Sequence, residues 1–197
     1  MKFRAYGAEL LGTFLLAGVV RLSLMAHLPL STPVLAGLTL GLCVYFFGSV
    51  SGAHINPAVT IALASVKKIK PDEAVYYVVS QLIGAFLALV AVDALVQGTV
   101  TVNVSETLPV GIMEAVGAFI LMTGVASVVY NKVSNTSSGL TIGSSLLLGI
   151  AAASSISNGV LNPAVALGIG SISFAYVLGP IVGAIAAVWV YRWLVRA

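Results

Sequence analysis

Two ten-residue stretches restrict this chain more than anything else in it: Ser51-Gly-Ala-His-Ile-Asn-Pro-Ala-Val-Thr60 and Ser157-Asn-Gly-Val-Leu-Asn-Pro-Ala-Val-Ala166. Each carries Asn-Pro-Ala-Val after a short glycine-containing run, and each leads into a short apolar segment. Asparagine is a preferred N-cap because its side-chain oxygen accepts an orphaned N–H of the first turn. Proline suits the first helical position, where its missing N–H costs nothing. Asn56-Pro57 and Asn162-Pro163 therefore each predict a helix start, set in sequence too hydrophobic for a surface turn.

The surroundings are those of a membrane. Of the 197 residues, 59% are hydrophobic and 8% charged, against about 25% charged in a soluble domain. Mean hydropathy is +1.10. A spanning helix needs about 20 mostly apolar residues. Six runs satisfy this, over 4–26, 33–50, 72–97, 109–130, 139–156 and 173–194. Two shorter pieces, 56–66 and 162–171, cover about half the bilayer core each. End to end they make one more span.

Charge sets the orientation. Lys2, Arg4, Lys67, Lys68, Lys70, Lys132, Arg192 and Arg196 fall on one side of a six-span topology, and only Arg21 falls toward the other. The positive-inside rule makes the basic side cytoplasmic, with both termini there and the chain multi-pass in the cell membrane. A net charge of +3 with basic residues at segment ends excludes nucleic acid as a partner class. The single Cys43 lies in a span and reads as a small core filler, so no disulfide framework is expected. No cofactor or metal is implied, since neither histidine has a partner at ligand spacing. No nucleophile, base and oxyanion set points to an enzyme.

The two halves repeat. Ala8-Glu-Leu-Leu-Gly-Thr-Phe14 resembles Met113-Glu-Ala-Val-Gly-Ala-Phe119, and Ile83-Gly-Ala85 is echoed by Val182-Gly-Ala184. Three spans per repeat, over about 1–99 and 107–197, force the second copy to run inverted through the bilayer, with a site near the midplane. The expected fold is a single all-α membrane domain, 1–197. It has six transmembrane helices and two re-entrant half-helices whose N-termini meet at mid-membrane.

A helix N-terminus carries roughly half a positive charge. Two facing one point repel cations, while Asn56 and Asn162 can each donate a side-chain N–H to a neutral solute's oxygen. Extended backbone at membrane depth is tolerated where it lines an aqueous cavity. Gly52, Ala53 and His54, with Asn158, Gly159 and Val160, are thus expected to turn carbonyls into a pore. Glu9 and Glu114 hold matching places in the repeats. They could form a proton relay or an ion site, but the symmetry favours a brace for the loop backbone before each half-helix. Gln81 reads as a further brace, and His54 as a packing group beside a helix start.

These residues resemble those of the aquaporin, or major intrinsic protein, family. The resemblance rests on Ala8-Glu9…Gly12-Thr13-Phe14, the Ser51–Leu63 stretch, Gln81-x-x-Gly84-Ala85, Glu114-x-x-Gly117, Asn162-Pro163-Ala164 and Gly179-Pro180, with Asn56-Pro57-Ala58 as the first motif. It implies one pore per protomer, a homotetramer in membrane lipid, and passive conduction of water and small neutral solutes. It also places an outer selectivity filter on Ala36, Ile150, Gly159 and Val165. The family's usual filter is polar and carries Arg where Val165 stands. Here all four positions are small or apolar, which implies a wider, greasier constriction.

Rival readings are an ion-leaky or ammonia- and gas-permeable channel, a poorly conducting structural protein of the same fold, and a secondary transporter. Arg21 bears on the first. It lies about 18 Å along the helix from Glu9 and about 120° around it. It either reaches the pore to replace the missing charge, or snorkels outward or bonds loop carbonyls.

Overall fold

The computed structural model describes residues 2–26, 28–96, 100 and 102–195. Among them are eight α-helices, a short 3-10 turn at Asn135–Ser137, and no strand. The helices are α1 Lys2–Met25, α2 Thr32–Ser51, α3 Pro57–Ser65, α4 Pro71–Val96, α5 Leu108–Val129, α6 Ser138–Ala153, α7 Pro163–Gly168 and α8 Phe174–Leu194. Six are long and apolar enough to cross a membrane, counting the 3-10 turn with α6. The short α3 and α7 are the half-helices. Gln97 and Arg196, included in the expected spans and charge pattern, lie outside the described residues.

Local chemistry sets the ends. Proline sits in the first turn of α2, α3, α5 and α7. Asp72 and Glu73 place negative charge in the first turn of α4, where the helix dipole favours it. α2 stops at Gly52, whose φ of 86° turns the chain back toward the midplane.

Two ends differ from expectation. α6 stops at Ala153 rather than 156, in a serine-rich stretch where the Ser154 hydroxyl donates to Ile150 O at 2.7 Å. Serine competes with the helix backbone in this way. α7 stops at Gly168 rather than continuing to 171. Gly170 enters the left-handed region at φ 73°, and Ser171 N–H reaches back to Ala166 O at 2.9 Å. That bond closes a Schellman-type end.

The inverted repeat is visible in the packing. α1 lies against α4, α5 lies against α8, and α2 meets α6 across the repeats. A Cβ on Gly84 would stand 2.2 Å from Leu10 O, and one on Gly183 would stand 2.0 Å from Ala115 O. These are equivalent crossings, and each needs the absence of a side chain for two backbones to touch. The Gly183→Val variant is accordingly expected to lose about 3 kcal/mol by overpacking. Thermal unfolding in detergent reads this as a lowered Tm.

Candidate pore and its half-helix caps

The candidate pore centres on the two helix starts. Asn56 is extended at φ −157°, and its side-chain oxygen accepts Ala58 N–H at 2.8 Å. Asn162 does the same with Ala164 N–H at 3.0 Å and Val165 N–H at 3.4 Å. The side-chain nitrogens make a reciprocal tie. Asn56 Nδ2 donates to Leu161 O at 3.0 Å, and Asn162 Nδ2 donates to Ile55 O at 2.9 Å. Each half-helix is therefore fastened to the residue preceding the other. A side-chain amide has two N–H groups, so one remains on each asparagine.

The preceding backbone is strained. Ile55 and Leu161 sit at φ 53° and 55°, a region β-branched and bulky residues avoid. Buried carboxylates hold them there. Glu9 accepts from His54 N–H at 2.9 Å and Ile55 N–H at 2.6 Å, and from the Ser51 hydroxyl at 2.6 Å. Glu114 accepts from Val160 N–H at 2.9 Å, Leu161 N–H at 2.7 Å and the Ser157 hydroxyl. Both carboxylates are fully buried. Every oxygen of both carboxylates accepts from the loop before the neighbouring half-helix.

The two braces are not identical. Gln81 Nε2 donates to Glu9 Oε2 at 2.8 Å and to Thr60 Oγ1 at 2.9 Å. His54 Nδ1 lies 3.2 Å from the same hydroxyl, and its ring packs on Tyr77. In the second repeat Pro180 occupies the place of Gln81 and Ala166 that of Thr60. The outer brace has no such annex.

A cavity opens on each side of the asparagines. The one toward the termini, about 400 Å³, is lined by Gly52, Ala53, His54 and Asn56 together with apolar faces of α2, α5 and α6. The one toward the far side, about 240 Å³, is lined by Ala36, Ile150, Gly159 and Val165 along with Asn158, Val160 and Asn162. The two share Leu16, Leu146 and Asn162. Gly159 is required where it stands. Its φ is 65°, and a Cβ there would come within 2.9 Å of Ile150 O. Among the described residues, no Asp, Glu, Lys or Arg lines either cavity.

Arg21 does not reach them. It is 2% exposed, with Nε donating to Asp93 Oδ1 at 2.7 Å and Nη2 lying 2.5 Å from the same oxygen. Its Nη1 donates to Gly168 O at 3.4 Å. The idea that Arg21 supplies the missing filter charge is thus corrected. The α1 residues that line the far cavity are Leu16, Val20 and Leu24, and the next position along turns away from them. Bonding to a carbonyl was anticipated, but Asp93 as a partner was not. A carboxylate in the last turn of an otherwise apolar span was the available signal.

A sequence model for major intrinsic proteins matches residues 1–191. The chain belongs to the major intrinsic protein family. Members of this family are channels, not enzymes. Nodulin-26 of Glycine max is 36% identical over 169 residues, covering 79% of this chain. The chain spans 62% of nodulin-26's length, less than two thirds. The glycerol uptake facilitator protein-like 6 of Lactiplantibacillus plantarum is 32% identical, covering 96% of this chain and 97% of its own. The probable aquaporin AqpM of Archaeoglobus fulgidus is 36% identical, covering 81% and 74%. The X-ray structure of the aquaglyceroporin from Plasmodium falciparum superposes with a TM-score of 0.69 at 22% identity, over 99% and 97% of the two chains. That likeness speaks to the fold.

Proposed function

We propose that this major intrinsic protein is a passive channel for water and small uncharged solutes, with an outer constriction formed by Ala36, Ile150, Gly159 and Val165. The observation that carries the reading is the reciprocal tie of Asn56 and Asn162 at the junction of two cavities. A solute oxygen passing there meets two amide N–H groups and two helix N-termini. Cations are disfavoured by the same positive ends. The apolar far cavity has room for solutes larger than water. The relatives named as a glycerol facilitator and as aquaporins support both solute classes. The protein is placed in the cell membrane with both termini cytoplasmic, by the positive-inside rule, and assembles as a homotetramer, as the family resemblance implies.

Stopped-flow measurements on proteoliposomes test this across water, glycerol, urea and ammonia. Glycerol flux well above that of empty vesicles is expected alongside water flux. If water crosses and glycerol is rejected, the wide-constriction reading fails. A second reading, an ion-leaky channel, is favoured because no Asp, Glu, Lys or Arg among the described residues lines the cavities. A proton-flux measurement on the same vesicles separates the two, because the half-helix dipoles and a filter arginine are distinct barriers.

A further inference from the structure

We propose that Arg21 and Asp93 are specificity-determining positioning residues: their ion pair pins the far end of half-helix α7 and so sets the width of the constriction at Val165. This rests on the channel reading above. α7 has only six residues, so the rod that presents Val165 in its first turn ends one turn later at Gly168. The last carbonyls of a helix lack intrahelical partners and carry partial negative charge. Arg21 donates to one of them while two of its nitrogens hold Asp93 on α4. The same helix end rests on α1 at Ala17, whose Cβ would lie 2.7 Å from a Cβ on Gly168. Three elements, α1, α4 and α7, are therefore fixed to one another at a single guanidinium.

The inverted repeat provides an internal comparison. The counterpart of Arg21 is Ala126, in step with Glu9 and Glu114, and the counterpart of Asp93 is Arg192, in step with Gly84 and Gly183. The matching half-helix α3 has nine residues. Its end is closed by Lys67 N–H on Ala64 O at 3.0 Å and Lys68 N–H on Leu63 O at 2.9 Å, and its last residue, Ser65, accepts from Trp189 Nε1 on α8 at 3.2 Å. The tie at the end of α3 is a neutral bond from Trp189 to Ser65, whereas the tie at the end of α7 is the charged fork of Arg21, on the side of the constriction. Apolar replacement of a buried ion pair is often neutral for stability, so stability alone does not account for it.

The test is the ratio of glycerol to water permeability in proteoliposomes of purified full-length protein. The variants are Arg21→Lys and the double variant Arg21→Met with Asp93→Leu. The ratio cancels the number of folded channels, so a merely structural loss lowers both fluxes and leaves it unchanged. The lysine ammonium can reach Asp93 but cannot fork to Gly168 O as well. Both variants are expected to shift the ratio by about threefold or more, the low end of what one lost hydrogen bond supplies. A ratio equal to that of the wild type in either variant overturns the proposal, whatever happens to Tm. Arg21→Lys preserves the pair's charge, so its ratio is read even if the double variant yields little protein. Wild-type vesicles that pass neither solute refute the channel reading itself, and this inference with it.

Discussion

Glu9→Ala is expected to abolish conduction and to lower stability by about 4 kcal/mol, reckoned as two buried N–H groups left without an acceptor. The groups are the backbone N–H of His54 and of Ile55, both held by the Glu9 carboxylate. No water replaces that acceptor cheaply at membrane depth. Ile55 at φ 53° has no reason to stay in the left-handed region once its N–H is released. Its carbonyl would then turn away from Asn162 Nδ2, undoing one half of the tie between the half-helices. Glu9→Gln retains one acceptor oxygen and is expected to fall between the two. The measurements are Tm in detergent and water permeability in vesicles. A Glu9→Ala protein that conducts at the wild-type rate would remove the brace from the account.

The second large effect concerns Val165. Val165→Arg is expected to reduce glycerol permeability by about tenfold, a partition penalty of about 1.4 kcal/mol, while water flux persists. The far cavity is about 240 Å³ and its wall is mostly apolar. A guanidinium projecting from the first turn of α7 would fill much of that space. It would find acceptors in the Ser154 hydroxyl and the Asn158 side-chain oxygen, both on the cavity wall. The smaller solute passes a narrowed, polar constriction more easily than the larger one. Vesicles carrying the variant should also show lower proton conductance if the wild type leaks. Unchanged glycerol flux in a folded variant would mean that the constriction lies elsewhere.

Much of this could be read before any coordinates. Asn-Pro at the head of two short apolar segments marks helix starts from rules that act within four residues, so α3 and α7 begin where expected. The matching places of Glu9 and Glu114 are legible from the repeat. The six spans follow from hydropathy and length. What escaped notice required knowing which helices adjoin. The tie between Asn56 and Leu161, and that between Asn162 and Ile55, joins residues from opposite ends of the chain through carbonyls that carry no sequence signature. The Arg21–Asp93 pair joins α1 to α4, and a helical wheel for α1 shows only that Arg21 leaves the pore-facing side. The early end of α7 depends on Gly170 turning left-handed, which apolarity of the segment conceals.

The crossed asparagine bonds have a bearing on how such a chain is made. Asn56 takes its acceptor from Leu161, and Asn162 takes its own from Ile55. A nascent polypeptide whose first three spans have left the ribosome therefore holds an unfinished knot at mid-bilayer, with an amide awaiting a carbonyl not yet synthesised. On the channel reading, the passage is complete only once the second half supplies Leu161 and Asn162. An isolated half of the molecule has helices to insert but no passage to offer.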